Sequence, residues 1–135
     1  MATRSRIGIL NANGSVDSIY CHWDGYPENN GLLLVNYWND QYLAECLMSL
    51  GDLSYLGKQI GERQNFDQPT DRDWCLAYGR DRGEKNSLTE LYSSASNFIS
   101  EAASDYGVDY IYLFDNGNWR CWNYEGQEFE LAALV

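Results

Sequence analysis

The chain has 135 residues, the size of one domain and enough to close a single core without disulfide or metal staples. It is 44% hydrophobic and 21% charged, a globular composition that excludes a disordered segment. Nine basic residues against 20 acidic ones give a net charge of −11, which disfavours direct binding to nucleic-acid backbone, since that contact relies on clustered Lys and Arg.

The chain is predicted to begin with a hairpin, strands 3–10 and 16–23 about NANGS, where Asn-Gly supplies the positive φ of a tight turn. DGYPENNG then breaks the second strand, because Pro27 lacks an amide donor while Gly25 and Gly31 relax the backbone. Residues 32–38 are apolar almost all round and are predicted as a buried helical stretch. Asn39 or Asp40 caps a second helix, on which Leu43, Cys46, Leu47 and Leu50 follow one face before Gly51 ends it.

The pattern weakens from 52 to 86. LSYLGKQIG is mixed, QNFDQPTDRD is loop-like, WCLAYG suits a short strand and GRDRGEKN an exposed turn. A long helix is predicted over 88–106, with Ser87 and Glu90 as its capping box. Leu91, Ala95, Phe98, Ile99, Ala102 and Tyr106 follow one face of it, and Gly107 stops it. DYIYLFDNGNWRCWNY is a second hairpin, in which a two-residue turn at Asn116-Gly117 sets Phe114 opposite Trp119 and Tyr112 opposite Cys121. EGQEFELAAL adds a last strand or a short tail element. Strands joined by tight turns are antiparallel, so the expected fold is one α+β domain spanning 1–135. Its antiparallel sheet comes from the N- and C-terminal hairpins, with helices packed on one face.

MATRSR begins with charge, and no apolar run of signal or membrane-span length follows it, so a soluble cytoplasmic protein is expected. Cys21, Cys46, Cys75 and Cys121 lie far apart, without a C-x-x-C pair and with one His in the chain. That pattern suits free thiols in a reducing cytosol and implies no metal site or cofactor.

The block Cys21-His22-Trp23-Asp24 raises the question of chemistry. Alternate residues of a strand face opposite ways, so Cys21 and His22 cannot pair as nucleophile and base. Tyr20, His22 and Asp24 share a face, and a carboxylate two positions from an imidazole can orient it and raise its pKa. His22 and Asp24 are therefore the candidate acid–base pair, as in a small hydrolase. No G-x-S-x-G or other nucleophile motif accompanies them, and a histidine closing a strand–turn junction accounts for the same residues.

In GRDRGEK, Arg80, Arg82 and Lys85 lie between and beside glycines, where guanidinium forks can hold phosphate bidentately. With Tyr20, His22, Trp23 or Trp74 against a base, they form a candidate site for an anionic nucleotide. The alternative is a solvated turn in which Asp81 and Glu84 pair locally. The charge is also uneven, with one basic residue against eight acidic ones over 86–135. There Glu90, Glu101, Asp105, Asp109, Glu125, Glu128 and Glu130 are placed to face a basic partner, including a protein that itself grips DNA. Aromatics make up 15% of the chain, mostly Tyr and Trp, which dominate contact surfaces as well as cores.

MATRSRIGIL, SIYCHWDGYPENNG, LGDLSYLG, AYGRDRGE and YLFDNGNW, in that order, resemble a family of small proteins recurring in tailed-phage genomes. The resemblance implies a soluble protein made inside an infected bacterium and dispensable for virion structure. The expectation is a non-enzymatic binding protein that engages a host protein, such as a defence or nucleic-acid-binding protein. An acidic, Tyr-rich surface also suits a homo-oligomer.

Overall fold

The computed structural model describes residues 2–85 and 88–131, apart from the side chains of Asp105 and Tyr106. In chain order these form β1 (Ser5–Leu10), β2 (Val16–Cys21), a one-turn π-helix (Pro27–Gly31), α1 (Leu32–Tyr37) and α2 (Gln41–Ser49). β3 (Leu53–Tyr55), β4 (Leu76–Ala77), α3 (Tyr78–Arg82) and β5 (Glu90–Tyr92) follow. The chain then runs through α4 (Ala95–Tyr106), β6 (Tyr110–Asp115), β7 (Asn118–Asn123) and β8 (Glu128–Phe129).

Both expected hairpins are present. β1 and β2 pair antiparallel with Ile7 opposite Ile19, and β6 and β7 with Phe114 opposite Trp119 and Tyr112 opposite Cys121. Asn116 and Gly117 take φ of 51° and 89°, the backbone that a two-residue hairpin turn requires. The fold is α+β, as expected, but the hairpins merge through a parallel pair: β1 lies beside β6, with Ile7 opposite Tyr112. The sheet is therefore mixed, in the order β4-β3-β2-β1-β6-β7-β8, with β5 also on the edge of β2.

Helices cover both faces of this sheet, which corrects the expectation of one. On the first face Ile7, Ile9, Ile19, Tyr112 and Phe114 pack with Leu34 and Trp38 of the α1 region and Leu47 of α2. On the second, Val16, Ile111, Leu113 and Trp122 pack with Phe98 and Ala102 of α4. The reason lies in β6, where Ile111, Tyr112, Leu113 and Phe114 are all buried in succession. A strand apolar on both faces needs a layer on each.

The helix ends follow local chemistry. Asp40 caps α2 by accepting from Leu43 N at 2.7 Å, and Gly51 ends the turn after it with φ of 73°. The helix expected over 88–106 is shorter than its periodicity predicts. α4 starts at Ala95, where Ser94 Oγ accepts from Asn97 N at 3.1 Å. Glu90 to Tyr92 instead form β5, with Ser18 opposite Glu90 and Val16 opposite Tyr92. Ser87, the expected cap, lies outside the described residues. The free edge of β2 and the burial of Tyr92, whose ring sits 5.2 Å from that of Phe98, outweigh the helical pattern of 88–92.

Close approach of α4 to the sheet depends on Gly8. A Cβ there would stand 2.8 Å from Val16 Cγ1 and 2.9 Å from Phe98 Cζ. We expect Gly8→Ala to lower the unfolding free energy by about 1–3 kcal/mol in urea titration. Unchanged stability would show that Phe98 does not rest on the strand.

Candidate functional site

The Cys21–Asp24 block closes a strand. His22 N donates to Leu53 O at 3.0 Å and Trp23 N to Ser54 O at 2.9 Å, so the segment continues β2's pairing with β3. Asp24 is exposed and turns the chain with φ of 57°, and Gly25 N then donates to Thr3 O at 2.8 Å. Cys21 faces the core, fully buried, and desolvation pushes its thiol up to about 11. Burial likewise pushes Cys75 and Cys121 up to about 12. All three are protonated at neutral pH, which leaves them without nucleophilic thiolate.

His22 does not pair with Asp24. Its Nδ1 lies 2.7 Å from the Tyr20 hydroxyl, and the Trp23 ring meets it edge-on at 4.7 Å. Burial, and then the Arg4 charge, hold its pKa below the usual 6.5, the reverse of the rise an aspartate partner would cause. Tyr20 is held in turn: its amide donates to Asp52 Oδ1 at 2.8 Å, in the gap where β5 leaves β2 and β3 joins it. Tyr20, His22 and Trp23 thus come together as a ring cluster, and the acid–base pair does not form.

The arginines expected to hold phosphate are spent on the fold. Arg80 donates to Ile60 O at 2.6 Å, to Cys75 O at 2.7 Å and to both oxygens of Asp81, at 3.0 and 3.2 Å. Asp81, whose side chain is fully buried, also accepts from Gln64 N at 2.9 Å and Ala77 N at 2.8 Å. The expected exposed turn is therefore the short helix α3 built around a buried ion pair. Arg82 pairs with Glu84 and lies over the rings of Phe66 and Tyr78, 4.6 and 4.8 Å from their centroids. Trp74 has the Gly61 backbone against its ring, since a Cβ on Gly61 would come within 2.2 Å of Trp74 Cγ. Arg80 and Arg82 are thus each engaged within the fold, by Asp81 and by Glu84.

The seven carboxylates do not form one free row either. Glu90 pairs with Arg6 at 3.5 Å, and Glu128 with Arg120 at 2.8 Å, where the guanidinium lowers its pKa. Asp109 accepts from Arg4 N at 3.1 Å. Glu101, Glu125 and Glu130 are exposed, and the Asp105 side chain lies outside the described residues.

An open groove of about 460 Å³ lies at the end of the first sheet face. Its walls are Thr3, Asp109, Tyr110, Asn123, Tyr124 and Phe129, with Tyr124 62% and Phe129 41% exposed. Of these, sequence reasoning singled out Asp109 alone. The alternation of β6 puts Tyr110 on the face of Tyr112, but how far the helical layer extends is not written in that strand. No family model, curated protein or solved structure matches the chain. Among the described residues no three His, Cys, Asp or Glu side chains converge as metal ligands, and no helix is long and apolar enough to cross a membrane.

The imidazole of His22 should titrate below 6.5 by NMR, and Arg4→Gln should move its midpoint upward. Because the unfolded chain then binds that proton more readily, stability should fall as pH drops through 6.5, and the His22→Gln variant should lose that slope. Asp81→Ala should cost about 3–5 kcal/mol in thermal unfolding, because it strands the half-buried Arg80 guanidinium without its partner.

Proposed function

We propose that the protein is a non-enzymatic, phage-encoded binding protein that acts in the host cytoplasm on a host factor, a defence or nucleic-acid-binding protein. It does so through an acidic, aromatic-rich surface at the end of its sheet where β1 and β6 begin. The observation that carries this reading is the groove in which Tyr110, Tyr124 and Phe129 stand beside Asp109. Large aromatic side chains left in water are costly to a lone monomer and supply most of the energy at protein interfaces. The last 50 residues carry the bulk of the chain's negative charge, which speeds encounter with a basic partner. The resemblance to tailed-phage proteins supplies the setting. The binding-protein reading is preferred to the nucleotide-binding and hydrolase ones because Arg80 bonds Asp81 and His22 bonds Tyr20.

The test is affinity capture from bacterial lysate with the wild type and with a variant carrying Glu101→Lys, Glu125→Lys, Glu130→Lys and Tyr124→Ala. All four sites are exposed, so the variant should melt near the wild-type temperature. We expect a discrete host protein on the wild type and its loss on the variant, the aromatic change alone costing about 2 kcal/mol. Capture of the same protein by both would overturn the surface assignment.

A further inference from the structure

The groove is an uncovered strip, and its chemistry is one-sided. The Tyr112 hydroxyl donates to Gly25 O at 2.6 Å beneath the π-turn, and Gly31 packs on the same ring. Next along that face comes Tyr110, two residues back in β6 and half-buried against the same core. The rings of Tyr110 and Phe129 stand 6.2 Å apart, tilted by 53°, with Tyr124 at the rim. Asp109 borders them, and one of its oxygens is held by the Arg4 amide. After burial, negative charges that include Glu28 and Asp109 raise the Tyr110 hydroxyl, so both carboxylates act on that ring. No Lys or Arg side chain is among the described residues lining the groove.

Electron-rich rings beside the Asp109 carboxylate, with no Lys or Arg among the described lining residues, are the complement of a guanidinium or ammonium group. The groove is open to solvent and not enclosed, so it can admit an extended segment. Resting on the binding-protein reading above, we propose that this strip receives an extended arginine- or lysine-bearing segment of the partner, one cation lying over the Tyr110, Phe129 and Tyr124 rings and against Asp109. A folded basic domain read by charge alone would instead spread its contacts over Glu101, Glu125 and Glu130.

The experiment is an NMR titration of the isotope-labelled protein with an acetylated, amidated Gly-Arg repeat hexapeptide, against the same peptide with citrulline for arginine. We expect amide shifts confined to the Tyr110, Asn123, Tyr124 and Phe129 neighbourhood, absent with the citrulline peptide. Tyr124→Ala should weaken binding roughly fivefold and Asp109→Asn severalfold, as exposed cation–π and ion-pair contacts do. Shifts scattered over the acidic surface, an equal response to citrulline, or full affinity in Tyr124→Ala would each overturn the assignment. Excess Gly-Arg peptide should also displace a captured host protein. Capture that withstands the peptide would leave the binding-protein reading standing and remove this inference, whereas peptide binding with no host protein captured would do the converse.

Discussion

Arg4 and Asp109 lie 105 residues apart, yet Arg4 N donates to the Asp109 carboxylate and Asp109 N donates to Arg4 O at 2.8 Å. This exchange starts the parallel register in which β1 runs beside β6, Ser5 opposite Tyr110 and Ile9 opposite Phe114. Without it the chain would be two separate hairpins with raw edges, and an isolated hairpin is marginal in water. With it, β1 and β6 become the centre of one sheet, and the apolar residues on both faces acquire a use. Closing so long a loop is entropically costly, and burial on two faces offsets it.

The middle third is held by different means. Residues 57–75 carry few apolar side chains, so polar contacts tie them down. Gln64 donates to Cys75 O at 3.2 Å and accepts from Thr70 N at 2.8 Å, while its own amide reaches Asp81. Trp38 and Trp119 complete the frame across the core, Trp119 Nε1 donating to Trp38 O and Trp38 Nε1 to Gly57 O, each at 3.0 Å. Every such bond satisfies a group that would be expensive to bury alone. Arginine and aspartate here are structural parts, whatever their resemblance to a ligand site in one dimension.

The residues with the most chemical character are thus the ones the fold uses. Cys21, His22 and Tyr20 finish a strand, Arg80 and Asp81 anchor a loop, and Glu90 and Glu128 answer buried or half-buried arginines. Among the large aromatic side chains left outward are Tyr124 and Phe129, which meet the half-buried Tyr110 at the end of the sheet. The Tyr112 ring, by contrast, is closed over, its hydroxyl donating to Gly25 O ahead of the π-turn.

Turn chemistry and periodicity made both hairpins, the Asp40 cap and the α+β class legible from the amino acids alone, because those features depend on neighbours a few residues apart. Even the exact cross-strand partners of β6 and β7 follow from a two-residue turn. Ser87 and Glu90 carried as good a local helix signal, and there it misled: Glu90 pairs in a strand because β2 had an open edge. The parallel join of β1 to β6, the two-sided cover, the withdrawal of Arg80 into an ion pair and the exposure of Tyr124 and Phe129 were all decided in three dimensions. Each depends on which distant surface is left to be buried, and a linear pattern holds no record of that.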